Sequence, residues 1–139
     1  PVSMIDASSR AELLYLMRSL QRQYGIAFLY ITHDIASARH FADRVAVMYL
    51  GKIVEEADAR TLFANPRHPY TQALVSAIPS FDPATRQERI VLKGDVPSPA
   101  APPSGCHFHP RCPIAVDRCS AEYPELREHE DCSVACHLV

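Results

Sequence analysis

An excess of positive charge is the first thing this 139-residue sequence lacks: fourteen Lys and Arg face sixteen Asp and Glu, for a formal net charge of −2. No global field awaits a polyanion, which excludes nonspecific attraction to nucleic acid or anionic lipid as a first reading. Apolar runs approaching the roughly 18 to 20 residues that cross a bilayer are also missing. Asp6 and Arg10 interrupt any secretory core near the start. The sequence has no internal repeat, no low-complexity tract and no initiator Met, and its start at Pro1 suggests that a further portion precedes it. What is present, 47% apolar and 22% charged residues, suits one globular domain, or one domain with a small appendage, rather than a disordered chain.

Cysteine is absent from the first 105 residues and then occurs five times, at Cys106, Cys112, Cys119, Cys132 and Cys136. Eight of the twelve prolines fall between positions 79 and 113. Two regions joined by a stiff linker follow: residues 1–78, a Pro-rich segment 79–104, and a Cys-rich region 105–139. An odd thiol count without a secretion signal disfavours a complete disulfide framework and leaves metal ligation as the leading use of these thiolates.

The first region reads as α/β. Ser9-Arg-Ala-Glu12 has the form of a capping box, and Leu13, Leu14, Leu16, Met17 and Leu20 recur at helical spacing as far as a stop at Gly25. Residues 26–32, Ile-Ala-Phe-Leu-Tyr-Ile-Thr, form a continuous apolar run expected of a central parallel strand covered on both faces. Asp34 can cap a short helix through about Ala42. The runs 44–49 and 52–56 flank Leu50-Gly51, predicting a hairpin. Two short helices follow, one over 60–64 and one from Pro69 to Ala77 after the Asn65-Pro66 break.

His33 falls just beyond the carboxyl end of the predicted strand, where open α/β sheets place ligands and where an imidazole can donate to a phosphate oxygen. His40, His68 and His129 carry weaker signals, and Asp6 has an ordinary use beside the positive end of a helix. In the tail, four thiolates suit either tetrahedral zinc or a [4Fe-4S] cluster. The dense cysteine group, with few large apolar neighbours, calls for a staple. His107, His109 and His137 can each substitute at one corner.

Taken together these residues resemble a known family. Residues 1–6, Pro-Val-Ser-Met-Ile-Asp, resemble the D-loop of ABC ATPases, and Tyr30-Ile31-Thr32-His33-Asp34 resembles their switch-histidine loop. Residues 43–56 are similar to the hairpin that follows. Phe63-Ala-Asn-Pro-Arg-His-Pro-Tyr-Thr71 and Gly94-Asp-Val-Pro-Ser-Pro99 resemble the oligopeptide/dipeptide importer subgroup. The resemblance implies an α/β fold: the C-terminal part of an ABC-type P-loop ATPase domain, with a parallel strand, helices and an antiparallel hairpin, followed by a small metal-stapled tail.

It also implies roles. His33 is the catalytic switch residue that contacts the γ-phosphate, and Ser3 and Asp6 lie with it at the nucleotide-sandwiching dimer seam. The motif Gly105-Cys-His-Phe-His-Pro-Arg-Cys-Pro113, with Cys119 and Val134-Ala-Cys-His-Leu138, implies an iron–sulfur cluster on Cys106, Cys112, Cys119 and Cys136, with zinc as the alternative. Cys132 matches no motif position. The parent subunit is then an ATPase using ATP and Mg2+, peripheral at the cytoplasmic face of a bacterial or archaeal membrane. Its implied partners are a second ATPase subunit, permease subunits and, indirectly, a peptide-binding protein, with no nucleic acid.

The sequence has no Gly-x-x-x-x-Gly-Lys-Ser/Thr loop, no Leu-Ser-Gly-Gly-Gln and no Asp-Glu pair ahead of Pro1, so the chain alone is expected to be inactive. Met4-Ile5 and Ala57-Asp58 stand where the family has Ala-Leu and Gly-Pro. The competing reading is a freestanding metal-stapled module that binds protein or nucleic acid through Arg111, Arg118 and nearby histidines.

Overall fold

The computed structural model describes residues 7–79 and 88–139. Two compact units divide the chain at Ala42/Asp43.

In the first unit, α1 (Ala7–Tyr24) is followed by a loop and by α2 (Ile35–Phe41). The chain is already helical at Ala7, the first described residue, so Ser9 lies inside α1 and the Ser9–Glu12 capping box does not mark its start. Its end is as the sequence predicts: Gly25, at φ +67°, donates to the Gln21 carbonyl at 2.9 Å, a conformation that costs a residue without Cβ little. Leu14 and Ala38 are buried, Tyr15 meets Phe41 edge-on at 5.2 Å, and Arg18 donates to the His40 carbonyl at 2.9 Å.

Residues 26–32 form no strand, which corrects the predicted parallel strand. The physical reason is that a strand exists only through ladder bonds to a neighbour, and the one sheet among the described residues contains four other strands and no parallel pair. The apolar run is therefore left in solvent, with Leu29 90% and Ile31 85% exposed.

The second unit is built on the hairpin of β1 (Arg44–Tyr49) and β2 (Lys52–Asp58). Leu50 and Gly51 both take positive φ, 44° and 77°, the two-residue turn that matches strand twist. A bulge between Val47 and Met48 lets β2 present both Val54 and Glu55 to the interior. With Ala57-Asp58 in place of Gly-Pro, β2 runs directly into α3 (Ala59–Ala64), and the Ala59 amide donates to the Asp43 carbonyl at 2.9 Å. Helix α4 (Pro69–Ser76) comes next. His68 is its N-cap, accepting the Tyr70 amide on Nδ1 at 3.1 Å, and Pro69 takes a first-turn position that needs no donor.

The tail adds what the sequence pattern did not show. After a 3-10 turn (His109–Arg111) and α5 (Asp117–Ala121), strands β3 (Arg127–His129) and β4 (Cys132–Val134) extend the hairpin into an antiparallel sheet of order β1-β2-β4-β3. Glu55 pairs with Val134 and Ala57 with Cys132. The Ala135 amide donates to the Val54 carbonyl at 2.9 Å, just where the bulge frees it. One core therefore serves both hairpin and tail: Val47, Tyr49, Val54, Ala57 and Leu62 pack with Phe108 and Cys132. Phe108, only 1% exposed, is ringed by Tyr49, Tyr70 and His68 at centroid distances of 5.2, 5.3 and 5.6 Å. The tail thus draws its apolar partners from the hairpin.

Glu55 is fully buried on the core face of β2, and its two carboxylate oxygens accept the Arg67 and His68 amides, each at 2.8 Å. Its replacement by Ala strands one buried and one part-buried donor, and we predict a loss of about 2–4 kcal/mol. Glu55→Gln, which keeps one acceptor, should lose less. Urea unfolding of the full chain reads both, and an Ala variant as stable as the parent would contradict this role.

Burial pushes the His68 imidazole down from its ordinary 6.5 to about 4. The folded chain thus refuses a proton that the unfolded chain accepts. Stability contributed by neutral His68 is complete above pH 6.5 and is lost as pH falls towards 4, by about 3 kcal/mol in all. The unfolding midpoint should drop between pH 7 and 5, and His68→Asn, which keeps a capping acceptor, should flatten that slope.

Candidate functional site

Thr32, His33 and Asp34 form a tight turn. The Asp34 amide donates to Thr32 Oγ1 at 2.9 Å, bracketing an exposed His33. Asp34 then caps α2, its carboxylate accepting the Ser37 amide at 3.3 Å and the Ser37 hydroxyl, while Arg10 Nη1 approaches at 3.4 Å. The Ser37 hydroxyl is the main reason that the Asp34 carboxyl sits below its usual range, and the Arg10 charge adds to it. The structure therefore places His33 on an ordered, solvent-facing turn. Ser3 and Asp6 lie outside the described residues.

The thiols fall into two groups. Gly105, at φ +63°, permits a close approach: a Cβ there would stand 2.4 Å from the Cys119 carbonyl oxygen. The next amide, that of Cys106, donates to that same oxygen at 2.8 Å. Tight turns carry the chain onward, with His109 donating to Cys106 O at 2.9 Å and Cys112 to His109 O at 3.2 Å. Burial pushes the Cys106, Cys112 and Cys136 thiols up. Backbone amides oppose it: Phe108 and His109 at Cys106, Ile114 at Cys112, Leu138 and Val139 at Cys136. Charge on one of these sulfurs is felt by the others: Cys119 and Cys136 act on Cys106, and Cys106, Cys119 and Cys136 act on Cys112.

Cys132 stands elsewhere. It lies buried in β4, donates to the His129 carbonyl at 3.3 Å, and is influenced by Glu55, Asp131, Arg67 and Glu130 rather than by the other thiols. All five cysteines are free thiols. Among the described residues, no three His, Cys, Asp or Glu side chains converge tightly enough to hold a metal ion as they stand. Thiol sulfur is nevertheless the donor type that a thiophilic group takes, and at Cys136 the Leu138 amide donates to Sγ at 3.5 Å.

Of the histidines suggested as substitute ligands, His109 Nδ1 donates to the Cys106 carbonyl at 2.9 Å, and His137 Nε2 donates to the Glu122 carbonyl at 2.9 Å. His107 faces Tyr123 edge-on at 5.4 Å. Sequence reasoning missed Glu55 and gave His68 little weight. An acid in Lys-Ile-Val-Glu-Glu reads as a solvated strand position, and only the His-Pro-Tyr-Thr segment hinted that the region is specialised. No helix among the described residues is long and apolar enough to cross a membrane.

Residues 54–119 match the family model described as the oligopeptide/dipeptide transporter C-terminal region. An oligopeptide transport ATP-binding protein of Bacillus subtilis is 48% identical over 141 aligned residues, covering 99% of this chain and 43% of the relative. A dipeptide transport ATP-binding protein of Haemophilus influenzae is 47% identical over 131, covering 94% of this chain and 40% of the relative. The chain thus spans about two-fifths of the length of the curated relatives it matches. Along nearly its whole length, then, the chain is similar to peptide-transport ATP-binding proteins, and residues 54–119 match the oligopeptide/dipeptide transporter C-terminal region.

Proposed function

We propose that the chain is part of the ATP-binding subunit of an ABC importer for oligopeptides or dipeptides. The observation that carries this reading is the identity of 47–48% to oligopeptide and dipeptide transport ATP-binding proteins along nearly the whole chain. In the intact subunit, His33 contacts the γ-phosphate from its exposed turn. Ser3 and Asp6 face the partner ATPase at the dimer seam. A positioned imidazole donor serves phosphoryl transfer by stabilising charge on the transferring oxygens. Phosphate-loop and magnesium-binding residues are absent from this sequence and must come from the rest of the nucleotide site. The implied assembly is peripheral at the cytoplasmic membrane face, with permease subunits and, through them, a peptide-binding protein.

The tail is the second part of the reading. Cys106, Cys112, Cys119 and Cys136 would hold an iron–sulfur cluster, which supplies a four-point structural tie when bound. Supporting it are the set of four free thiols, the Leu138 amide that donates to Cys136 Sγ at 3.5 Å, and the separate place of Cys132 in β4. Zinc is the alternative occupant.

The residues 1–139 alone should neither bind Mg-ATP at micromolar concentration nor release phosphate, which calorimetry and a phosphate assay test. Turnover by this chain, abolished by His33→Ala, would overturn the reading. In the intact subunit, His33→Ala should depress turnover more than nucleotide affinity.

Anaerobic purification should yield about four irons and four sulfides per chain, falling sharply in Cys136→Ser and unchanged in Cys132→Ser. One zinc per chain would select the alternative. A metal-free chain, or the reverse behaviour of the two serine variants, would overturn the ligand assignment.

A further inference from the structure

We propose that Arg10 and Asp34 form a positioning pair that fixes the His33 turn and ties it to α1, the helix that follows the seam residues Ser3 and Asp6. This rests on the switch-histidine reading of His33. The turn is held on both sides: Thr32 Oγ1 accepts the Asp34 amide before the helix, and the Asp34 carboxylate is held by Ser37 within it. Neither restraint reaches outside residues 32–37. Arg10 supplies the connection over longer range, its guanidinium 3.4 Å from Asp34 Oδ2 across 24 positions of sequence.

The placement suits coupling better than stability. The two side chains are 28% and 33% exposed, and an ion pair in that setting adds little to folding. What it constrains is geometry. Asp34 is the residue immediately after His33, so a displacement of its carboxylate rotates the peptide that carries the imidazole. Arg10 lies in the first turns of α1, four residues after Asp6, so movement of that helix start is passed to the turn. A small error in the position of a phosphate-contacting donor lowers the rate of the chemical step and leaves nucleotide binding to other residues.

The test uses a full-length ATP-binding subunit that contains residues 1–139 of this chain, assembled with its permease. Arg10→Ala removes the cation, and Asp34→Asn removes the charge while keeping a good capping side chain. Each should lower kcat for ATP about tenfold with KM within about twofold, and the double variant should be no worse than either single one. Arg10→Lys should recover most of the rate, and thermal midpoints should stay near the parent value. His33→Ala run alongside separates the two layers. If it abolishes turnover while Arg10→Ala and Asp34→Asn remain at parent rate, the switch reading stands and the coupling is refuted. If His33→Ala leaves turnover untouched, both fall. Additive losses accompanied by lowered thermal midpoints would assign the pair a merely structural role and overturn the proposal.

Discussion

A carboxylate sealed inside an apolar core is tolerable only where donors meet it, and the second unit is arranged around that requirement at Glu55. The bulge in the hairpin turns the side chain inward, and the Arg67 and His68 amides close on its two oxygens at 2.8 Å. Those amides lie at the approach to α4, so satisfying the charge also fixes where that helix starts. His68 then uses its own Nδ1 as the cap, which requires a neutral ring, and burial keeps it neutral. Tyr70 is thereby delivered against Tyr49 at 4.8 Å and Phe108 at 5.3 Å. The His-Pro-Tyr segment is a structural joint: its three side chains cap a helix, start it, and receive the aromatic ring of the tail.

The joint explains how a tail with few large apolar residues can be ordered. Phe108 lies between Cys106 and Cys112 in sequence and enters the core shared with β1 and β2. Strand β4 meanwhile pairs with β2 over Glu55, Glu56 and Ala57. Two different anchors therefore hold the tail, one aromatic and one by backbone hydrogen bonds. Between them the cysteine loops are shaped by Gly105, whose missing Cβ permits the Cys119 carbonyl to approach.

Legibility in the sequence followed the range of the interactions concerned. The β1–β2 hairpin, the Asp34 cap and the Gly25 stop were readable because each depends on turn and cap chemistry within a few residues. Helix α1 was readable in kind, but its start was not, since Ser9 only imitates a cap from inside the first turns. Strand β3 was invisible: Arg-Glu-His has no apolar alternation, and its register exists only through β4. The opposite error arose at 26–32, where a strongly apolar run without ladder partners stays outside the sheet and exposed.

The candidate sites divide along the same line. The motif alone sets Cys132 apart from the other four cysteines; in the structure it lies buried in β4 and donates to the His129 carbonyl at 3.3 Å. Glu55 was illegible because nothing local distinguishes a buried acid from an exposed one on a strand. Its neighbour Glu56 in fact pairs with Arg44 at 2.8 Å in the ordinary surface manner. What tells the two apart is the chain returning twelve and thirteen residues later with two free amides, a tertiary event. The same logic applies at Arg10 and Asp34. Each has a sufficient local reading as a helical cation and a helix cap, and only their approach across the loop gives them a joint effect on His33. Residues that position a reacting group through a partner distant in sequence leave no pattern within a window of a helix or strand. They become visible only when the fold brings the two ends of the interaction together.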